Sequence, residues 1–411
     1  MTEMIDQNTN VTKRRLPDGW RWVRLGDVAE LLPSKSVATD GDTEVKAITT
    51  ACLTEHRFAP SGVKGARMWA EDASQCVVSR GEILIARSNT PELVGRVAMY
   101  SGEPRGAVAT DLTIRIWPTA DVMSEFLTAY LSFLYQTGYW KERAGGASGS
   151  MKKITRSQIG DEVIPLPPPA VQHRIAAVLN EQMAAVERAR AAAEPRLEAA
   201  KGLLAAYLRA TFDSQEIRRW PSEPLGNALQ LRKEIVHPRD NPQGPATFVG
   251  LEHIESITGR RIGSIDLEKS ALTGRKPRFY TRDIVYGYLR PYLNKVWIAE
   301  FDGLCSVDQY VYSVDRDKAN TEFVAWFMRS PGYLRTAPIG TTPGQLPRIR
   351  TEEVSSVEIH LPPLTEQERV VRTLKAQVDA AERVRKAVAE ELAAINTLPA
   401  ALLRRVFSGA L

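Results

Sequence analysis

Four stretches of the chain place cations beside small polar and turn-forming residues: "ARSNTPELVGR" and "GGASGSMKKITR" in the first half, "LRPYLNK" and "GTTPGQLPRIR" in the second. In the first half the side chains able to do chemistry are Arg87, Ser88, Asn89, Thr90, Lys152, Lys153 and Arg156. In the second half they are Arg290, Tyr292, Lys295, Gln345, Arg348 and Arg350, preceded by Arg275, Lys276 and Arg278, with Arg260, Arg261 and Arg282 close by in sequence. Lysine and arginine neutralise phosphates, whereas Arg, Asn, Gln and Ser pair with base edges. The basic loops fall at matching places in the two halves, so they are read as a pair of surfaces for double-stranded DNA.

Other chemistries lack their motifs. No GxxxxGK[ST] loop is present, which leaves no nucleotide motor on this chain. "GGASGS" at Gly145–Ser150 has no Rossmann spacing and reads as a loop. "NPQG" at Asn241 lacks the second proline and the aromatic residue with which adenine methyltransferases stack a flipped base. The five histidines, His56, His173, His237, His253 and His360, show neither HExxH nor HxH spacing, so no metal site is expected. No Ser/His/Asp set can be assembled. The pattern is that of a protein without its own active site.

A chain of 411 residues, 43% hydrophobic and 25% charged, folds into two to four domains. A net charge of +5 fits a polyanionic partner without requiring one. Three scattered cysteines argue for a reducing compartment and against a disulfide scaffold or a CxxC metal site. The N-terminal "MTEMIDQNTNVTKRR" has no apolar core, and no run of eighteen apolar residues occurs, so a cytoplasmic protein away from membranes is expected.

The elements that must position these loops come in duplicate. "LPPPAVQHRIAAVL" from Leu166 and "LPPLTEQERVVRTL" from Leu361 are two versions of one stretch, about 195 residues apart. "WRWVRLGDVAEL" has its counterpart in "WPSEPLGNALQL", "RGEILIARSNTPELVGRVAMY" in "TRDIVYGYLRPYLNKVWIA", "ATDLTIRIWP" in "SVDQYVYSVD", and "SEFLTAYLSFL" in "TEFVAWFMRS". One unit of roughly 200 residues has been duplicated and has diverged. Each copy begins with β-branched and aromatic runs punctuated by Gly, Pro and Asp, which predict an α+β globule with a mixed or barrel-like sheet. Each copy ends in a long helix that starts behind its prolines. Thr365, with Glu368 three residues on, predicts the N-cap of the second helix.

Val371, Leu374, Val378, Ala381, Val388, Leu392, Ile395, Leu398, Leu402 and Val406 keep a three-four spacing. Val171, Ile175, Val178, Ala185, Ala193, Leu197, Leu204, Leu208 and Phe212 repeat it. Stripes of this length predict two helices packed as an antiparallel coiled coil, kinked at Pro195 and Pro399. The predicted divisions are a flexible tail over 1–15, β-rich domains over 16–166 and 215–361, and spacer helices over 167–214 and 362–411.

Taken together, "LPPLTEQERV", the long helix ending in "ALLRRVFSGAL", the W-x4-LG openings, "SNTPELVG" and "LRPYLNK" resemble the specificity subunits of type I restriction-modification systems. The resemblance covers nearly the whole chain, in order and in duplicate. The first spacer departs from the pattern, reading "PPPAVQHRI" where the family has Pro-Leu and then Glu-Gln. The resemblance implies two target-recognition domains, each reading half of a split DNA site, with the spacers binding two methyltransferase (modification) subunits. It implies no catalysis and no cofactor on this chain. S-adenosylmethionine, ATP and Mg are expected on the modification and restriction subunits. Two other readings are a targeting subunit for a phage-defence methyltransferase without nuclease, and a coiled-coil scaffold with no DNA contact.

Overall fold

The computed structural model describes residues 16–54, 57–146, 151–337, 340 and 346–407. The chain divides into two compact units, residues 1–192 with 392–411, and residues 193–391. Among the described residues no helix is long and apolar enough to cross a membrane.

At the centre of unit 1 lies an antiparallel sheet in the order Ala29–Leu32, Thr113–Pro118, Ile83–Ala86, Val97–Met99. Unit 2 repeats that order with Leu229–Leu231, Gln309–Val314, Ile284–Gly287 and Val296–Ile298. Side chains alternate across a strand, and here both faces are covered. Ile83 and Ile85 enter one core while Leu84 and Ala86 enter another. In unit 2 Ile284 and Tyr286 go one way and Val285 the other. A strand buried on both sides has no polar positions to alternate, which is why "ILIA" and "IVYG" are written as continuous apolar runs.

Each unit also holds a second sheet containing one parallel pair, Thr43–Ile48 with Ala107–Ala109 in unit 1 and Pro245–Val249 with Gly303–Cys305 in unit 2. A short outer ladder joins the start of each β-rich region to its end: Arg21–Arg24 with Val163–Leu166, and Ser222–Pro224 with Glu358–His360. The fold is α+β, and its internal repeat is visible strand by strand.

The central helix, Pro169–Phe212, and the C-terminal helix, Leu364–Phe407, are each 44 residues long and continue through Pro195 and Pro399 as single segments. Their buried positions include Leu179, Val186, Ala193 and Ala200 in one, and Leu374, Ala381, Val388 and Ile395 in the other. That is a strict heptad, the spacing of a left-handed coiled coil. Two seam positions expected from sequence are corrected: Ala185 and Leu398 are exposed. Both units contain a piece of each helix. In unit 1 Ile175 and Leu179 share a core with Leu403 and Val406, and Arg190 Nε donates to Asn396 Oδ1 at 2.9 Å. In unit 2 Arg196 and Glu391 pair at 3.1 Å, and Leu208 and Phe212 share a core with Val370, Val371 and Leu374. One number falls as the other rises, so within each unit the two segments run antiparallel.

The repeated entry into these helices is explained by a glutamine. Gln172 and Gln367 are 1% and 0% exposed, and each makes three matching hydrogen bonds. Gln172 Nε2 donates to the carbonyls of Asp121 and Pro167 at 2.9 and 3.0 Å, and its Oε1 accepts from the Met123 amide at 2.9 Å. Gln367 Nε2 donates to Lys318 and Pro362 at 3.1 and 2.8 Å, while Oε1 accepts from Asn320 at 2.8 Å. Each glutamine thus ties the first turn of a long helix to the loop that opens a short helix of the globule. Thr365 is not the N-cap: the helix starts a residue earlier, and the Pro363 carbonyl accepts from the amides of Glu366 and Gln367.

Candidate nucleic-acid interface

Chain leaving the central sheet of unit 1 at Ala86 forms a two-stranded ladder at the surface. Ser88–Asn89 pairs antiparallel with Lys152–Lys153, setting Lys152 opposite Asn89 and Lys153 opposite Ser88. Hydrogen bonds fix it on every side: Arg87 N to Leu112 O and Ile154 N to Arg87 O, both 2.8 Å, and Gly145 and Lys153 exchanging bonds of 2.9 and 2.8 Å. Ile154, wholly buried, anchors one end.

Unit 2 builds the same object from different residues. Leu289 bridges Arg348, and Gly340 bridges Arg348 from the other side. Tyr288 N donates to Asp308 O at 3.1 Å, Ile349 N to Tyr288 O at 3.2 Å, and Arg290 N to Pro347 O at 2.7 Å. Ile349 is as buried as Ile154. Arg87 thus corresponds to Tyr288, Ser88 to Leu289, Asn89 to Arg290, Lys152 to Pro347 and Lys153 to Arg348.

Several sequence-predicted residues come together in these ladders: Arg87, Ser88, Asn89, Lys152 and Lys153 in unit 1, Arg290 and Arg348 in unit 2, with Thr90 and Arg350 exposed at the edges. Arg87 sends one donor inward, to Asp111 O at 3.4 Å. Arg275 is exposed, and its charge and that of Arg348 reach the Tyr288 hydroxyl, whose pKa burial nevertheless raises. Tyr292 is exposed in the turn after Arg290, where Arg290 and Asn294 both take left-handed backbone conformations.

Other predicted residues are engaged elsewhere. Arg156 donates from Nη1 to Leu32 O at 2.6 Å and from Nη2 to Leu31 O, and burial, with Arg87 and Arg115 nearby, lowers its pKa. Lys295 Nζ donates to Leu251 O at 2.6 Å. Lys276 sits over the Phe248 ring at 4.9 Å, and its strand, which includes Arg278, belongs to the second sheet rather than the ladder. Arg260 pairs with Glu255 and Glu382, and Arg261 with Glu300. Gln345 lies outside the described residues, as does His56.

Sequence reasoning passed over Tyr288 and Tyr310, whose rings stack at 4.2 Å and 18° beside the unit 2 ladder. Burial pushes the Tyr310 hydroxyl up to about 12, so it stays protonated and donates to Ile349 O at 3.3 Å. The repeat held the signal, since Tyr288 occupies the place of Arg87. Among the described residues no group of three or more His, Cys, Asp or Glu could hold a metal ion.

Residues 17–192 match the family model of the type I restriction modification DNA specificity domain. The chain is 25% identical to the type I restriction enzyme EcoDI specificity subunit of Escherichia coli, over 97% of this chain and 90% of that protein. It is 22% identical to the putative type I restriction enzyme MjaX specificity subunit of Methanocaldococcus jannaschii, over 90% and 89%. Among solved structures, a chain from work on complex assembly and conformational transition of the type I R-M system superposes with a TM-score of 0.76 at 20% identity, covering 97% of this chain and all of that one. The HsdS subunit from Thermoanaerobacter tengcongensis superposes with a TM-score of 0.58 at 18% identity, covering 97% and 99%.

Proposed function

We propose that the chain acts as a specificity subunit of a type I restriction-modification system, the family to which it is similar, and that it reads a bipartite, asymmetric target in double-stranded DNA, one half-site per ladder. The observation that carries the reading is the duplicated ladder: one hydrogen-bond frame, built twice, presenting cations on both occasions but different side chains at nearly every exposed place. A shared frame with different readers suits two unlike half-sites. Phosphate contacts set register and carry no sequence information, so the residues that differ are the ones available to specify bases.

The chain itself supplies recognition and no catalysis. Methyltransferase subunits, two if one joins each copy of the repeat, would engage the spacer helices, and restriction subunits would join them. S-adenosylmethionine, ATP and Mg would be held on those partners. The test is to map methylated sites in a host carrying this chain and to measure binding of the mapped duplex at several salt concentrations. Two different methylated half-sites with a fixed gap, and affinity that falls steeply with salt, are expected. A continuous or palindromic site would overturn the bipartite, asymmetric reading.

A further inference from the structure

Two large apolar side chains stand in the open at equivalent points of the two ladders. Met151 is 45% exposed and Leu346 44%, and they lie about 195 residues apart, the same offset as Lys153 and Arg348. A lone exposed apolar residue is ordinary on a protein surface. These two are set apart by their neighbours. Side chains alternate along an extended strand, so residues two apart share a face. Burial follows that alternation: Met151 and Lys153 are exposed while Ile154 is buried, and Leu346, Arg348 and Arg350 are exposed while Ile349 is buried. Each ladder is thus entered through an exposed apolar side chain two residues before an exposed cation. Neither segment, Met151 to Thr155 or Leu346 to Arg350, carries a carboxylate.

A segment that carries cations and no acids of its own suits a polyanion better than a protein surface. On duplex DNA the feature that an apolar side chain can read is the 5-methyl group of thymine, exposed in the major groove beside base-edge acceptors. Resting on the DNA-recognition reading above, we propose that Met151 and Leu346 are specificity-determining contacts to a thymine methyl, one in each half-site. The neighbouring Lys153 and Arg348 hold the adjacent phosphates. Cytosine, which lacks the methyl, is then disfavoured at those two positions.

The test uses the full-length chain with its modification subunits and duplexes carrying the mapped target, each thymine replaced in turn by deoxyuridine, which removes the methyl alone. One replacement in each half-site should weaken binding about fourfold, the effect of burying one methyl. In Leu346→Gln the loss at one half-site should vanish, and in Met151→Gln the loss at the other, with the salt dependence unchanged because no charge has moved. The proposal is overturned if no deoxyuridine weakens binding, or if the losses persist in both variants. It is likewise overturned if the two variants keep full base discrimination but capture less modification subunit, which would make these residues protein contacts. Arg348→Ala and Lys153→Ala separate this from failure of the broader reading: both should lower affinity and reduce the salt slope by about one ion each. If they change nothing, it is DNA recognition by the ladders that has failed.

Discussion

Arg156 and Arg348 look alike in sequence, each an arginine just beyond a glycine-rich loop, yet their guanidinium groups do different work. That of Arg156 is spent on the carbonyls of Leu31 and Leu32, and that of Arg348 stands exposed on a ladder. Removing Arg156 takes a charged donor from two part-buried carbonyls, a cost of about 1–3 kcal/mol. Arg156→Ala should therefore lower the thermal midpoint while leaving DNA affinity below that midpoint intact. Arg348→Ala and Arg290→Ala should weaken binding at one half-site, and Lys152→Ala and Arg87→Ala at the other, as read by competition with duplexes altered in a single half. Unchanged affinity in all four would place the interface elsewhere. Charge is legible in a sequence; its destination is not. Lys295 and Arg156 were chosen for their charge, but the carbonyls that bind them come from Leu251 and Leu31–Leu32, distant in sequence. Tyr288 was passed over because it lies in an apolar, aromatic run that reads as strand, although it holds the place of Arg87.

The duplicated helix entry was legible as a repeated proline-stopped stretch, but its purpose was not. The structure assigns it to Gln172 and Gln367, one residue type at one place in two otherwise divergent copies. Each is itself buried and satisfies a part-buried amide and two carbonyls, so Gln172→Ala or Gln367→Ala should cost about 3 kcal/mol, seen in denaturant or thermal unfolding. Gln367→Glu makes a sharper test. A carboxylate between the Lys318 and Pro362 carbonyls is repelled and desolvated, so the folded state raises its pKa above the unfolded value of about 4.3. The sign follows: the proton is held more tightly when folded, so the variant should be most stable below about pH 4 and lose stability as pH rises. A flat profile relative to the parent protein would show that the site is wetter than its burial implies. The helix seams were partly legible. Heptads of Val, Leu and Ile stand out, but in "EQMAAVERARAAAE" alanine gives no contrast between faces, and Ala185 was chosen over its buried neighbour Val186. Pro195 and Pro399 end neither helix, because one missing amide in a long, packed helix is tolerated, though it commonly bends one.

At the scale of the molecule, each unit draws on distant parts of the chain. The described residues of unit 1 begin at Leu16, yet its core is completed by Leu403 and Val406, and Phe407 packs against Phe126, Tyr130 and Phe133 with ring centroids 5.2–5.9 Å apart. In unit 2 the matching residue is Phe212, against Phe323 and Phe327 at 5.3 and 5.7 Å. The last turn of each long helix therefore closes the core of the unit that it ends in, not of the unit that it starts from. The duplication was legible because two copies of one sequence can be laid side by side. This exchange was less so, because Phe212 and Phe407 occupy equivalent places and neither names its partner. Truncating a buried phenylalanine costs about 3–5 kcal/mol, and less where the ring is half exposed. Phe212→Ala should fall in the full range and Phe407→Ala below it. Amide hydrogen exchange on the full-length chain locates each loss. Phe407→Ala should speed exchange in Ile83–Ala86 and Thr113–Pro118 while sparing Ile284–Gly287, and Phe212→Ala should do the reverse. Were Phe407→Ala instead to loosen Ile284–Gly287, the C-terminal helix would be finishing the unit that it starts from, and the assignment of its last turn to unit 1 would be wrong.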